Sequence, residues 1–413
     1  MLDAYFDGPH SWARLRCGST SLFIDAFAEA LQSAGYGRST GRQFLREVAR
    51  LGVWLEARRI PLTSVDEAVV ERFGAQRGPC KCRGKHRYTC IHPCFGARAF
   101  LRFLRERAMV GARPSPRVPE LLEQFDDWMR KHRGVKDSSL RTYSHVLVPF
   151  IESMGEPAGY TAGRVRRFLT DHAAGLSVKY AQVGATAVRM FLRYLASKGL
   201  CSADISEAIF PVAQWALASL PAYLTPDDVE RLVQAPDAST PVGRRDRAIL
   251  LLLARLGLRA DEVRGLRLGD IDWVAGTILV SGKSRRETRL PLPQEVGDAL
   301  LEYLTRGRPD VKDQDVFIRA DAPLTALKGS SSITATVRRM AIRAGVRLPR
   351  GRVAHALRHS LATAMIRTGV ALPAIGAVLR HRSQETTAIY AKVDVSALRK
   401  IARPWPLSEV APC

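Results

Sequence analysis

The stretch "RVAHALRHSL" (352–361) places two imidazoles and a guanidinium in an otherwise apolar segment with helical spacing. His355 and Arg358 are three positions apart, so they share one face of a helix, and His359 follows directly. Two interpretations are open. These side chains are surface charges on a core helix, or they belong to a site that grips an anion and moves protons around it. The second interpretation requires other residues of the chain to converge on the same point.

The composition indicates a globular protein with a polyanionic partner. The chain has 413 residues, enough for two or three domains, and 46% of them are hydrophobic. The net charge is +23 and the pI is about 10.3, with basic residues spread along the whole chain. Such an excess is typical of proteins that bind nucleic acid, and less often of proteins that bind an anionic membrane surface.

The sequence gives no sign of a membrane span or a secretion signal. Its longest apolar run, "AILLLLA" (248–254), has seven residues and is typical of a buried helix. The first ten residues, "MLDAYFDGPH", include acidic residues and no apolar core. We therefore expect a cytoplasmic protein without membrane association. Its seven cysteines should be reduced, so we expect no disulfide scaffold.

Two breaks divide the chain into three predicted domains. The first is the Pro-rich segment "GARPSPRVPE" (111–120), and the second is "LPAYLTPDD" (220–228). In the second, Thr225 is suited to cap a helix that has Pro226 at its first position. These breaks predict domains over 1–112, 117–215 and 222–413.

The first two domains resemble each other as weak repeats. Apolar residues recur at helical spacing, with Arg and Lys on the other face, in three pairs of segments: 39–56 with 138–155, 69–77 with 164–172, and 99–110 with 190–200. The pattern indicates either a duplication or a chance likeness between amphipathic helices. Both readings predict helical domains.

The third domain mixes helices with a small sheet. "GTILVSGKSRRETRLPLP" (276–293) predicts two strands around a turn, and the segments on either side have helical spacing. We therefore predict a mainly α protein with a small β-sheet in its C-terminal domain. Two N-terminal helical domains would precede this α+β domain.

Other residues suited to an anion site are scattered through the third domain. Arg259 follows a glycine in a bend within "LGLRADE" (256–262), and Lys283 lies in the hairpin turn "SGKSRRE" (281–287). "LRHRSQETTAIY" (379–390) supplies His381 and, nine residues later, Tyr390. Taken singly, each has a structural interpretation; Arg259, for example, would be solvated or paired with Glu262.

Taken together and in this order, these residues resemble the tyrosine recombinase (phage integrase) family. That family carries an Arg in a "GLRxxE" box, a Lys in a β-hairpin, "HxxR", a His or Trp, and a Tyr nine residues later. Here these positions read "GLRADE", "SGKSRRE", "HALR", "LRH" and "IY". The resemblance covers about 222–403, and 117–215 resembles the family's helical core-binding domain with weaker motifs.

The resemblance implies a site-specific DNA recombinase or integrase of a mobile element. Such an enzyme cuts and rejoins DNA strands through a 3′-phosphotyrosine intermediate, without ATP or a catalytic metal. The side chains are suited to this reaction, because the guanidiniums of Arg259 and Arg358 can each bind two non-bridging phosphate oxygens. Tyr390 is the expected nucleophile, and its phenol needs a cationic pocket to react at neutral pH.

The remaining polar residues of this set would handle protons and hydrogen bonds. His355 is the candidate base for the tyrosine or a phosphate hydrogen-bond donor, and Lys283 is the candidate general acid for the leaving oxygen. His381 would donate a hydrogen bond to the phosphate. His359 is expected to pack or hydrogen-bond locally.

The implied partner is double-stranded DNA with inverted half-sites. The family implies a homotetramer in synapsis, or pairing with related recombinases. A phosphate clamp cannot read sequence, so recognition must come from other basic faces. We expect the DNA-binding residues to include Arg141, Lys179, Arg189, Arg193, Lys328 and Arg338.

A cysteine- and histidine-rich segment, "CKCRGKHRYTCIHPC" (80–94), lies in the first domain. Clusters of this kind are typical of structural Zn²⁺ sites, although this spacing fits no standard zinc finger. The alternative is a basic loop that touches DNA. The candidate ligands are Cys80, Cys82, His86, Cys90, His92 and Cys94.

Two other functions compete with recombination. One is a type IB-like topoisomerase that nicks and reseals a single duplex, and the other is a non-catalytic DNA-binding regulator on the same fold. The two helical domains favour a recombinase, because they suggest extended recognition of a defined site. A protein that only binds DNA has no need for Tyr390.

Overall fold

The structure is a computed structural model that describes residues 2–75, 94–111, 119–211, 221–281, 287–349, 353–381, 383–393, 398–399 and 402. The chain divides into two compact units. Met1–Gly111 and Leu220–Cys413 together form one unit, and Ala112–Ser219 forms the other. Among the described helices, none combines the length and apolar character that crossing a membrane requires.

The N-terminal part of the first unit is helical and has its own apolar core. Rings of Phe27, Phe100 and Phe103 meet in this core with centroids 5.2–5.8 Å apart. The longest helix buries Leu45 and Val48 because apolar residues recur at helical spacing along it. The helices are α1 (Pro9–Leu15), α2 (Ile24–Ser33), α3 (Arg38–Ala57), α4 (Glu67–Ala75) and α5 (Phe95–Glu106).

The second unit is also helical. Phe125, Phe150 and Phe191 lie at the centre of its core and are fully buried. Thr161 and Ser177 cap two of its helices, since each hydroxyl accepts a hydrogen bond from a backbone N–H of the first turn. The helices are α6 (Glu120–Arg133), α7 (Asp137–Met154), α8 (Ala162–Ala173), α9 (Val178–Ser197) and α10 (Asp204–Glu207).

The C-terminal part of the first unit packs around one helix whose central residues are fully buried. Thr225 accepts the backbone N–H of Asp228 at 3.1 Å and so caps the first helix, as predicted. The next helix buries Ile249, Leu251 and Leu253 completely, which explains its continuous apolar run. The first four helices are α11 (Pro226–Gln234), α12 (Pro241–Arg255), α13 (Ala260–Arg264) and α14 (Gln294–Arg306).

A small antiparallel sheet follows α13 and has the order β1–β2–β3. Its strands are β1 (Ile271–Asp272), β2 (Thr277–Ser281) and β3 (Glu287–Pro291). Ile278 pairs with Leu290, and both side chains are buried, so one face of the hairpin packs on the core. The predicted hairpin is confirmed, and so is the predicted fold class of a mainly α protein with a small C-terminal sheet.

The last helices that the structure describes carry most of the candidate site. They are α15 (Ser330–Ala344), α16 (Val353–Arg367), α17 (Leu372–Val378) and α18 (Gln384–Ala388), followed by a 3₁₀ helix, Ile389–Val393. The last part of α16 packs with α17 and the 3₁₀ helix around a small core that contains Ile366, Ile375 and Leu379.

The three predicted domain ranges each contain a separate apolar core. The segments of the predicted repeat lie on helices that follow the same order in both regions, with α3, α4 and α5 corresponding to α7, α8 and α9. The domain boundaries and the duplication stay predictions.

The buried helix α12 should be sensitive to cavity formation. Leu251 is 0% exposed, so Leu251→Ala should lower the free energy of unfolding of the C-terminal region by roughly 2–5 kcal/mol. Leu301→Ala on α14 is the matched control, because that side chain belongs to a residue 50% exposed and should change stability by less than about 0.5 kcal/mol. Urea denaturation followed by circular dichroism measures both. Equal losses would contradict the assigned core.

Candidate active site

Arg259 lies where the chain turns sharply between two helices. Gly257 sits just past α12 with φ +57°, and a Cβ there would lie 2.9 Å from a methyl of Leu379 and 3.0 Å from one of Leu361. Only glycine fits this turn, since it tolerates both the left-handed backbone and the close approach. Arg259 then caps α13 with an extended backbone, and its side chain is half-buried.

Glu262 holds Arg259 in place. Its Oε2 accepts the backbone N–H of Arg259 at 2.8 Å, and its Oε1 accepts Nη1 of the same arginine at 2.7 Å. Burial raises the pKa of Glu262, but the hydrogen bonds of Arg259 and the charges of Arg380 and Arg259 outweigh burial and lower it overall. Glu262 is therefore a buried carboxylate that stays ionised.

Arg358 ties the separate segments of the site together. It is 3% exposed, and its guanidinium donates to the backbone carbonyls of Gly257 and Leu379. Burial, followed by the positive charges of Arg259 and Arg380, lowers the pKa of Arg358 to about 9. This arginine lies in a region with an excess of positive charge.

Tyr390 lies close to residues that are distant from it in the sequence. It is 1% exposed, and its hydroxyl oxygen is 2.7 Å from Nδ1 of His359. The expectation that His359 interacts only locally is corrected, because this hydrogen bond spans 31 positions of the sequence. The reason is geometric: α16 presents His359 toward the 3₁₀ helix that packs against it.

His381 also lies beside Tyr390, with its ring parallel to that of the tyrosine. Its ring lies 6.3 Å from that of Tyr390, with an angle of 4° between the two planes, and its Nδ1 is 2.8 Å from Oγ1 of Thr387. Burial, then the charges of Arg358 and Arg259, lower the pKa of His381 to about 4. The imidazole is therefore neutral at physiological pH.

The structure describes only one of the other two predicted catalytic residues. His355 is exposed on α16, and its ring centroid is 6.5 Å from that of His359. Lys283 lies outside the described residues, between the paired ends of β2 and β3 at Ser281 and Glu287. The structure thus brings four of the six predicted residues together: Arg259, Arg358, His381 and Tyr390.

The predicted DNA-binding residues differ in how exposed they are. Arg189 is half-buried, and its Nη2 donates to the carbonyl of Ile209 at 3.0 Å, so this guanidinium already has a partner within the protein. The other five are exposed: Arg141, Lys179, Arg193, Lys328 and Arg338. Their contact with DNA stays a prediction.

The predicted zinc segment falls almost entirely outside the described residues. Of its six candidate ligands, only Cys94 is described, and it is buried at the start of α5. Within the described parts of the chain, no group of three or more His, Cys, Asp or Glu side chains could hold a metal ion.

Two residues of the site, His359 and Arg380, had no predicted catalytic role. Arg380 donates from Nη2 to Oε2 of Glu262 at 2.9 Å, so one carboxylate serves two guanidiniums. The signal for His359 was its position directly after Arg358, on the next part of the same helical turn. Nothing in the local sequence pairs Arg380 with a residue 118 positions earlier.

Comparison with known proteins agrees with this geometry. Residues 222–396 match the model of the phage integrase family. The chain is 37% identical to "Putative integrase/recombinase y4rA" of Sinorhizobium fredii, over 94% of this chain and 95% of that protein. It is 33% identical to tyrosine recombinase XerD of Mycobacterium tuberculosis, over 68% of this chain and 95% of that protein.

Among solved structures, the chain is similar to the XerH site-specific recombinase bound to palindromic difH substrate, in a post-cleavage complex. The TM-score is 0.54 at 23% sequence identity, and the match covers 68% of this chain and 83% of that chain. This likeness is one of fold.

The low pKa of His381 predicts a measurable titration. Because the pKa is about 4 when folded and about 6.5 when unfolded, the unfolded chain binds more protons between these values. The contribution of this group to stability is therefore complete above pH 6.5 and falls as the pH drops toward 4. An NMR titration, assigned with His381→Asn, should show a midpoint well below 6.5.

The charge of Arg259 is one cause of that shift, so Arg259→Gln should raise the midpoint of His381 toward 6.5. Arg264→Gln removes the same charge from the end of α13 and is the matched control. A midpoint near 6.5 in the unaltered protein would show that the imidazole is not held in the cationic pocket.

Proposed function

The chain belongs to the phage integrase family of tyrosine recombinases, and we propose that it is a site-specific DNA recombinase that cuts and rejoins strands through a 3′-phosphotyrosine. The observation that carries the proposal is that Arg259, Arg358 and His381 lie together with Tyr390 in one partly buried cluster. These four residues are separated by up to 131 positions in the sequence.

The arginines supply what a phosphodiester needs for attack. Arg259 and Arg358 donate to the non-bridging oxygens and stabilise the charge that develops in the transition state. The loss of one such donor typically costs roughly 3–4 kcal/mol. Neutral His381 adds a hydrogen bond to the phosphate without adding charge. Fixed cations provide the field that a metal ion would otherwise provide, and catalysis in this family needs no cofactor.

Tyr390 acts as the nucleophile. Its oxygen forms a bond to phosphorus while the bond from phosphorus to the 5′ oxygen breaks, leaving a 3′-phosphotyrosine and a free 5′-hydroxyl. The phenolic proton passes to a base, for which His355 is our candidate. His359 holds the hydroxyl before attack, since it already lies 2.7 Å away. Lys283 gives a proton to the leaving oxygen.

The partner is duplex DNA. The excess of positive charge favours this polyanion. We extend the proposal to inverted half-sites and a synaptic tetramer, or pairing with related recombinases, because two-fold sites call for paired protomers. The enzyme would serve a mobile element in the cytoplasm. Zinc at the Cys80–Cys94 segment would be structural. A type IB-like topoisomerase and a non-catalytic regulator are not favoured.

The role of Tyr390 predicts a variant that binds but does not cleave. Tyr390→Phe should bind DNA and form no covalent adduct, because the attacking oxygen is gone. Tyr160→Phe is the matched control, since the hydroxyl of Tyr160 is buried and has no hydrogen-bond partner among the described residues. A nicked duplex that traps the adduct, analysed on a denaturing gel with EDTA present, gives the result. Cleavage by Tyr390→Phe would mean that another residue attacks.

The role of Lys283 predicts rescue by a better leaving group. Lys283→Ala should slow cleavage of ordinary DNA at least about 100-fold, in the range expected for a lost general acid. With sulfur in place of the bridging 5′ oxygen, the leaving thiolate needs no proton, so the variant should cleave nearly as fast as the unaltered enzyme. An equal defect on both substrates would exclude Lys283 as the acid.

A further inference from the structure

Arg380 occupies a backbone position that usually belongs to glycine. It follows α17, where its N–H donates to the carbonyl of Ala377 at 3.0 Å and the next N–H, of His381, donates to the carbonyl of Gly376 at 2.9 Å. These are the two hydrogen bonds of a Schellman helix end. Arg380 has φ +54°, a left-handed conformation that costs an L residue energy and costs glycine none. Such an outlier beside a functional site raises the question of what its side chain does.

The side chain of Arg380 is buried in the site. It is 9% exposed, donates from Nη2 to Oε2 of Glu262 at 2.9 Å, and donates from Nη1 to the carbonyl of Val378 at 3.1 Å. Its Nε is buried and has no hydrogen-bond partner among the described residues. Burial of the guanidinium and the left-handed backbone each cost free energy, so packing alone does not explain an arginine at this position.

Glu262 links Arg380 to the phosphate-binding arginine. The same carboxylate accepts Nη1 of Arg259 at 2.7 Å and the backbone N–H of Arg259 at 2.8 Å. One negative charge is thus divided between two guanidiniums. Burial lowers the pKa of Arg380, and the charge of Arg259 lowers it further although Glu262 opposes the shift. The charges of the two arginines therefore interact electrostatically across the shared carboxylate.

We propose that Arg380 is a positioning residue for DNA cleavage, because it competes with Arg259 for Glu262 and leaves Arg259 with positive charge for the phosphate. Without Arg380, Glu262 would neutralise Arg259 alone and draw its guanidinium away from the substrate. The inference rests on the proposed function, since it requires that Arg259 binds the scissile phosphate. It adds a residue to the site that acts through Glu262 and Arg259.

The test begins with Arg380→Gly, which removes the charge and relieves the left-handed backbone, so that folding should be preserved. Arg59→Gly is the matched control. Arg59 has φ +52° and is exposed in the N-terminal region, so the same substitution there relieves the same backbone without touching the site. Each variant is measured for covalent adduct formation in a single turnover on saturating nicked duplex, for DNA Kd, and for Tm.

We expect Arg380→Gly to slow adduct formation at least tenfold, or about 1.4 kcal/mol in the barrier, with Kd within threefold and Tm not lowered. Arg59→Gly should cleave at the unaltered rate. A purely structural role would lower Tm together with the rate. Cleavage by Arg380→Gly within twofold of the unaltered enzyme would overturn the proposal.

A second pair of variants decides the matter even if Arg380→Gly does not fold. Arg380→Lys and Arg380→Met keep the same backbone cost and differ in charge, so the lysine variant should cleave at least fivefold faster than the methionine variant. Equal rates would overturn the proposal. Failure of the proposed function is distinguishable, because the unaltered enzyme would then form no adduct that depends on Tyr390.

Discussion

The pocket brings more buried positive charge together than its own carboxylate can balance, and this constraint shapes the rest of the site. Glu262 is shared by Arg259 and Arg380, while Arg358 donates to backbone carbonyls of neighbouring segments. A buried cation is costly unless it is paired and hydrogen-bonded. The low pKa values of Arg358 and His381 express that cost. A bound phosphodiester would relieve it, so the same charges that weaken the fold favour the substrate.

The elements that carry these charges are positioned by a shared apolar core. Helix α12 is buried from Ala248 to Ala254, and the β2–β3 hairpin and α15 contribute side chains to the same core. Arg259 lies at the turn after α12 and His381 at the turn after α17, while Arg358 lies within α16. Side chains positioned in this way need little reordering when the substrate binds, which is what electrostatic stabilisation of a transition state requires.

Burial of the nucleophile adds a second constraint. The hydroxyl of Tyr390 lies 2.7 Å from Nδ1 of His359, and its ring is parallel to that of His381 at a centroid distance of 6.3 Å. The tyrosine is therefore held beside the cationic pocket and shielded from water. The imidazoles of His359 and His381 lie beside the phenol, and the charge of Arg358 acts on it. Its reactivity therefore depends on groups that two other segments of the chain supply.

Sequence by itself determined the secondary structure and the candidate residues. The apolar run of α12, the strand–turn–strand pattern around Lys283 and the cap at Thr225 are local signals, because each depends on residues within one or two turns. The order of Arg259, Arg358, His381 and Tyr390 was readable for the same reason, since each belongs to a short motif.

Only the tertiary structure decided which side chains pair across long separations in the sequence. The contact of His359 with Tyr390 and the sharing of Glu262 by Arg380 join residues 31 and 118 positions apart. Such pairings depend on how helices pack, and no local pattern specifies that packing. The local sequence therefore identifies the side chains of the site, and the burial of apolar helix faces brings them within hydrogen-bonding distance.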